Sequence, residues 1–166
     1  MSDGYVFRDI DPSVPEETAL VAERMRLTLV EVLGEEAGGS MYTTDWLVQR
    51  VRFHLDPAQC RGRVVVVEGP DGAIAGHAIL RHEADDGGGL AFGLFSTFYV
   101  DPAHRRRGIA DRLVTLGEAW FREAGLGQAR TYTAESNAPL HCLMYRHGYV
   151  IALRKNDMVS LQKELV

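Results

Sequence analysis

Cysteine is scarce in this chain, with two among 166 residues, Cys60 and Cys142. They show neither a C-x-x-C spacing nor a histidine-rich companion cluster, which argues against a metal site or a disulfide framework and for a reducing, cytoplasmic setting. Long hydrophobic runs are missing too. No stretch approaches the roughly 18 consecutive apolar residues of a membrane span. The opening MSDGYVFRDIDP has neither the basic nor the apolar segment of an export signal. The expectation is a soluble protein with no membrane partner. Positive charge is not in excess either: 18 Lys and Arg stand against 23 Asp and Glu, a formal net charge of −5. A field of that sign does not attract a phosphate backbone, so no nucleic-acid partner is expected. What the chain does have is apolar content, 46% of 166 residues. That is enough for one proper core and too little length for two ordinary domains, so one domain spanning 1–166 is expected.

Periodicity orders the chain. Tyr5 to Ile10 alternates as a strand and stops at Asp11-Pro12. From Pro15 to Leu33 apolar residues recur at helical steps (Ala22, Met25, Leu29, Val32), with Ser13 as the expected N-cap and Gly34 at the exit. Gly38-Gly39-Ser40 reads as a break. A second helix follows, capped by Thr43 or Thr44, with Leu47, Val51 and Leu55 on one side, and Asp56-Pro57 ends it. Val64 to Val67 is a β-branched strand, folded back by Pro70-Asp71-Gly72 onto Ala73 to Arg81. Asp85 to Gly89 connects to a long apolar strand, Leu90 to Val100, of the kind buried on both faces. Ile109, Leu113, Leu116 and Trp120 then mark a helix ending near Gly125. Ala129 to Ala134 is a strand, Pro139 to His147 a short helix, and Tyr149 to Arg154 with Met158 to Leu165 a terminal strand pair. Hairpins join the early strands and helices separate the later ones, which implies a mixed sheet.

The chemistry is concentrated in FSTFYVDPAHRRRGIADRLV, residues 95 to 114. A buried strand ends at Asp101-Pro102, three arginines follow, and Gly108 opens an amphipathic helix. The first N–H groups of a helix have no internal partners and carry the positive end of its dipole, and a glycine lets the backbone approach an anion closely. Three further cations at that end disfavour the helix unless an anion binds. The plain alternative is a solvated turn in which the arginines pair with carboxylates such as Asp101 and Asp111.

Arg105-x-x-Gly108-x-Ala110 after strand-Val100-x-Pro102 resembles the R/Q-x-x-G-x-G/A turn of the GNAT superfamily of N-acetyltransferases. Glu135-Ser136-Asn137-Ala138-Pro139 and Tyr145-Arg146-His147-Gly148-Tyr149 resemble that family's late strand, its Asn, the short helix and the Gly-aromatic pair. The resemblance covers roughly residues 60 to 165. It implies an α/β (α+β) fold: a mixed, mostly antiparallel central sheet of about seven strands flanked by about four helices. It implies acetyl-CoA as cosubstrate and no metal. It assigns backbone groups of Phe98 and Val100 to the pantetheine arm. The pyrophosphate cradle falls on Arg105, Arg106, Arg107, Gly108, Ile109 and Ala110, and Asn137 lies near the thioester.

Transfer to an amine needs a neutral nucleophile, a polarised carbonyl and a proton for the departing thiolate. A thiolate leaves well, so positioning carries much of the rate and direct attack in a ternary complex is favoured over an acyl-enzyme. Cys142 is read as a small buried group on the short helix. The family's acid tyrosine sits four residues before the glycine, where this chain has Met144; Tyr145, one position later, is the candidate acid. The strand Phe92 to Val100 has no carboxylate, so Glu135 is the candidate base, with Glu83 and His82 behind it and a water-relayed path as the alternative. His77 reads as a satisfied core histidine. The leading reading is an enzyme acetylating a primary amine on a small molecule. Acidic helices (Glu16, Glu17, Glu23, Glu31, Glu35, Glu36) would suit a cationic acceptor, or form a solvated face. A protein or peptide N-acetyltransferase and a non-catalytic acyl-CoA sensor are the alternatives. A homodimer is one possible assembly, and the sequence decides neither acceptor nor subunit number.

Overall fold

A computed structural model describes residues 3–166. Its seven strands are β1 (Val6–Asp9), β2 (Gly62–Glu68), β3 (Ile74–Ala84), β4 (Ala91–Val100), β5 (Gln128–Ala134), β6 (Val150–Lys155) and β7 (Met158–Glu164). They form one sheet in the order β1-β2-β3-β4-β5-β7-β6. Every neighbouring pair is antiparallel except β4 with β5. The helices are α1 (Pro15–Leu33), α2 (Glu35–Ser40), α3 (Thr44–Leu55), α4 (Ile109–Glu123) and α5 (Ala138–Arg146). The mixed sheet expected from the sequence is therefore present, with one helix more than expected.

The extra helix is α2, built on the Gly38-Gly39-Ser40 stretch read as a break. Locally glycine weakens a helix, but Gly38 lies against α1 so closely that a Cβ would stand 2.3 Å from the Leu29 carbonyl oxygen. Tertiary contact overrides the propensity. The expected Ser13 cap is also corrected. Val14 is the N-cap residue of α1 and supplies no side-chain cap. The Ser13 amide and hydroxyl both donate to Asp11 Oδ1 instead, at 2.9 and 2.6 Å. Thr43, by contrast, caps α3 by accepting from the Trp46 amide.

The sheet is buried on both faces, and the valine run of β2 shows how. Val65 and Val67 join the core beneath α4 with Leu80, Phe95, Leu113 and Phe121. Val64 and Val66 join the other core with Val21, Met25, Leu47, Val51 and Ile79. Strand period two serves both faces at once. Close approach of α4 to β4 depends on two missing side chains. A Cβ on Gly117 would meet the Phe95 ring at 2.3 Å, and one on Gly93 the Phe121 ring at 2.2 Å. Rings fill the space those glycines leave. At the far end of α4, buried Glu118 accepts from the Tyr149 hydroxyl at 2.8 Å and from Lys163 Nζ at 2.9 Å, tying the helix to the last strands.

Candidate functional site: a splayed strand pair beside an uncapped helix

β4 and β5 run parallel and pair only over three residues, Gly93 with Ala129, Leu94 with Arg130 and Phe95 with Thr131. Beyond that they part, and Ser96, Thr97 and Phe98 become partly open. In an antiparallel ladder alternate residues turn their N–H and C=O toward the partner and away from it. Asp101 N–H bonds Ala75 O at 2.8 Å, so Asp101, Tyr99 and Thr97 face β3. Phe98 and Val100 therefore turn their backbone groups into the gap. One of these groups is occupied: Val100 O accepts from Arg105 Nε at 2.8 Å.

The turn after β4 is organised by Asp101, whose carboxylate caps the single 3₁₀ turn Pro102–His104 by accepting from the Ala103 amide. Arg106 and Gly108 then both take left-handed backbone conformations, φ 64° and 75°. For arginine that costs about 1–2 kcal/mol, and alternating conformations of this kind turn successive N–H groups toward one point. Gly108 is the N-cap residue of α4 and provides no side-chain cap. The helix's first internal bond comes from the Arg112 amide to Gly108 O. The amides of Ile109, Ala110 and Asp111 therefore have no partner within the helix. Ile109 itself is a core side chain, 2% exposed, that pins this first turn to the sheet.

The three arginines part company. Arg105 folds back, its Nη2 2.7 Å from Glu31 and its guanidinium over the Tyr99 ring. Neither Asp101 nor Asp111 neutralises the other two: Asp101 pairs with Arg24 and Asp111 with Arg146 and His147. Arg106 and Arg107 are exposed and make no ion pair among the described residues. Burial raises the Asp111 carboxyl, but hydrogen bonds from His147 and Arg146 outweigh it and hold it below its ordinary range. The same contacts dock the end of α5 beside the first turn of α4. Together the turn presents amides without a partner in the helix, a dipole and two unpaired guanidinium groups, a chemistry suited to a phosphate-type anion.

On α5, Asn137 is the N-cap, accepting from the Leu140 amide and donating to Thr133 Oγ1 at 3.0 Å. One helical turn on, His141 Nε2 lies 3.2 Å from Ala134 O. Another turn on, the exposed Tyr145 ring stands edge-on to His141. The i, i+4 stripe Asn137–His141–Tyr145 went unnoticed in the sequence for His141, although the spacing was there to be read. Met144 points into the core and is fully buried. Cys142 is exposed, correcting its reading as buried; on α5 the inward face is taken by Leu143 and Met144, and Cys142 falls opposite. Glu135 pairs with Arg154 at 3.0 Å at the end of β5. His82 and Glu83 lie opposite Gly93 and Phe92, where the sheet is still closed, and so fall outside the gap. Hollows of about 470 and 560 Å³ also lie at that closed end, around Gly62 and Trp120. His77 is buried, with Nε2 3.0 Å from Thr97 Oγ1, but its Nδ1 has no partner, so it is only half satisfied. Burial holds it neutral, at about 3.

The model of the acetyltransferase (GNAT) family matches residues 30–149, and the chain belongs to that family. Solved structures agree in fold. The PaiA N-acetyltransferase from Thermoplasma acidophilum, in complex with coenzyme A, is 14% identical with TM-score 0.75, covering 99% of both chains. YncA from Salmonella typhimurium, with its cofactor acetyl-CoA, is 18% identical with TM-score 0.72, covering 98% of this chain and 95% of that one. The NatC complex bound to Gag peptide and coenzyme A gives 15% identity and TM-score 0.74, covering 98% and 99%. No curated protein sequence matches the chain.

Proposed function

We propose that this protein is an acetyl-CoA-dependent N-acetyltransferase that acetylates a primary amine on a small molecule by direct attack in a ternary complex. The observation that carries the reading is the uncapped, arginine-flanked N-terminus of α4 beside the gap between β4 and β5. Acetyl-CoA supplies a thioester, an acyl group already activated toward an amine. The residues fit that molecule: the amides from Arg107 to Ala110, with Arg106 and Arg107, receive its pyrophosphate, and Phe98 with the Val100 amide receives its pantetheine arm. Asn137 fixes the start of α5 and the wall of the gap through Thr133. Tyr145 is assigned as proton donor to the leaving thiolate and Glu135 as proton acceptor from the amine, directly or through water. The test is thiol release from acetyl-CoA with a panel of amines and peptides. Release that depends on a small amine supports the proposal. Release with peptides alone moves the acceptor to a polypeptide, and binding of acetyl-CoA without release would make the protein a sensor.

A further inference from the structure

The sheet face opposite α4 carries a second cluster of charge. β4 bulges there: Thr97 pairs with Ile79 and Phe95 with Leu80, leaving Ser96 as the extra residue. Arg81 lies on this face, two residues from Ile79, and its Nη1 reaches Ser96 Oγ at 3.4 Å and His54 Nε2 at 3.1 Å. Above it α3 presents Arg50, which is half-buried on the Phe53 ring, 4.4 Å from its centroid. Arg50 makes no ion pair or side-chain hydrogen bond among the described residues. Burial and then the neighbouring Arg81 pull its pKa down, with Cys60, Glu83 and Tyr42 acting the other way. Among the described residues the one carboxylate against Arg81 is Glu83, at 3.5 Å and half-exposed.

Three acidic residues of the N-terminal helices are engaged elsewhere. Glu17 is held by Arg8, Glu23 by Arg26 and Glu31 by Arg105. On the neighbouring strand Arg130 is committed to both oxygens of Asp85, leaving Tyr132, 46% exposed, as the open side chain of β5. Two guanidinium groups near enough to act on each other, Arg50 partly and Arg81 largely removed from water and both short of counter-charge, repel each other. An oxyanion between them relieves that repulsion.

We infer that the acceptor amine carries a carboxylate, seated between Arg50 and Arg81 over the Ser96 bulge, so that the preferred substrate is of amino-acid type. This rests on the acetyltransferase reading: an acetyl group delivered through the gap from the α4 side reaches the opposite face beside the Ser96 bulge, which the Arg81 guanidinium touches from the closed stretch of the strands. The charge of the site thus opposes the cationic acceptor that the acidic helices suggested.

The experiment measures thiol release from acetyl-CoA with matched pairs, each an L-amino acid and its own carboxamide. The amide has the more weakly basic amine and so more free nucleophile at neutral pH, which makes a preference for the acid informative. The acid is expected to have the higher kcat/KM. Arg50→Gln, which breaks no ion pair or side-chain hydrogen bond but gives up the contact with the Phe53 ring, should raise KM for the acid about tenfold or more and drive the acid-over-amide ratio toward one. Arg50→Lys should restore part of it. Release only with amides or with polyamines, or an unchanged ratio in folded Arg50→Gln, overturns the inference and leaves the acetyltransferase reading standing. Release with no amine, from protein that binds acetyl-CoA, removes both.

Discussion

Tyr145 and Cys142 sit on one short helix, and the sequence presents both as chemically interesting. Tyr145 occupies the stripe begun by Asn137 and His141, one position beyond the place where the family carries its acid. Met144 fills that place and is fully buried. A hydroxyl that protonates a thiolate acts in the transition state, so Tyr145→Phe is expected to lower kcat by up to about tenfold with acetyl-CoA affinity unchanged. A turnover number equal to wild type would return the proton to water. Cys142 lies on the outward face of α5, so Cys142→Ala should turn over at the wild-type rate; an acetylated Cys142 trapped on the time scale of turnover would replace direct attack by an acyl-enzyme. The cysteine's exposure was illegible in the sequence because a nine-residue helix containing Leu140, Leu143 and Met144 has two plausible inward faces. Only packing of Leu143 and Met144 into the core chooses between them. The free state of Arg106 and Arg107 was equally hidden, since it depends on Arg24, Arg146 and His147 claiming Asp101 and Asp111 first.

At the scale of elements, strands and long helices were legible because their periods are strong. The valine run of β2, the apolar β4 and the 3.6-residue spacing of α4 all declare themselves locally. Gly38 and Ser13 did not, because their roles are set by partners, the α1 backbone in one case and Asp11 in the other. The β4 bulge at Ser96 was invisible for the same reason: it exists only relative to Ile79 and Leu80 on β3. The contact of α3 with β3 offers a test by pH. Arg81 donates to His54 Nε2, so Nδ1 carries the proton and donates to Arg50 O at 2.8 Å. Burial, with help from Arg81 and Arg50, lowers this imidazole from 6.5 to about 4. Between those values the unfolded chain binds a proton that the folded chain refuses, so folding stability is intact above pH 6.5 and falls as pH drops toward 4. Urea unfolding at pH 7 and pH 5 should show a smaller loss in His54→Gln than in wild type. Equal losses would mean that His54 is not held neutral.

For the whole molecule, the sheet turns two faces to two tasks. α4 brings the positive end of its dipole to the gap on one face, while α1 and α3 cover the other and carry Arg24, Arg50 and His54 to the strands. The proposed cradle is the most legible in the sequence, because a strand, three arginines, a glycine and a helix are consecutive. The proposed acceptor face is the least legible, since Arg50, Arg81 and Ser96 come from three separate elements. The central claim is that the start of α4 holds the pyrophosphate of acetyl-CoA, and titration calorimetry of wild type against Gly108→Asp tests it most directly. A Cβ at Gly108 meets nothing within 4 Å, and aspartate tolerates the left-handed conformation better than most residues. The variant should therefore fold, which its melting curve will show, while its carboxylate occupies the anion's place. Wild type is expected to bind acetyl-CoA and the variant to show no measurable heat of binding; a folded Gly108→Asp protein that binds with wild-type affinity would contradict the account.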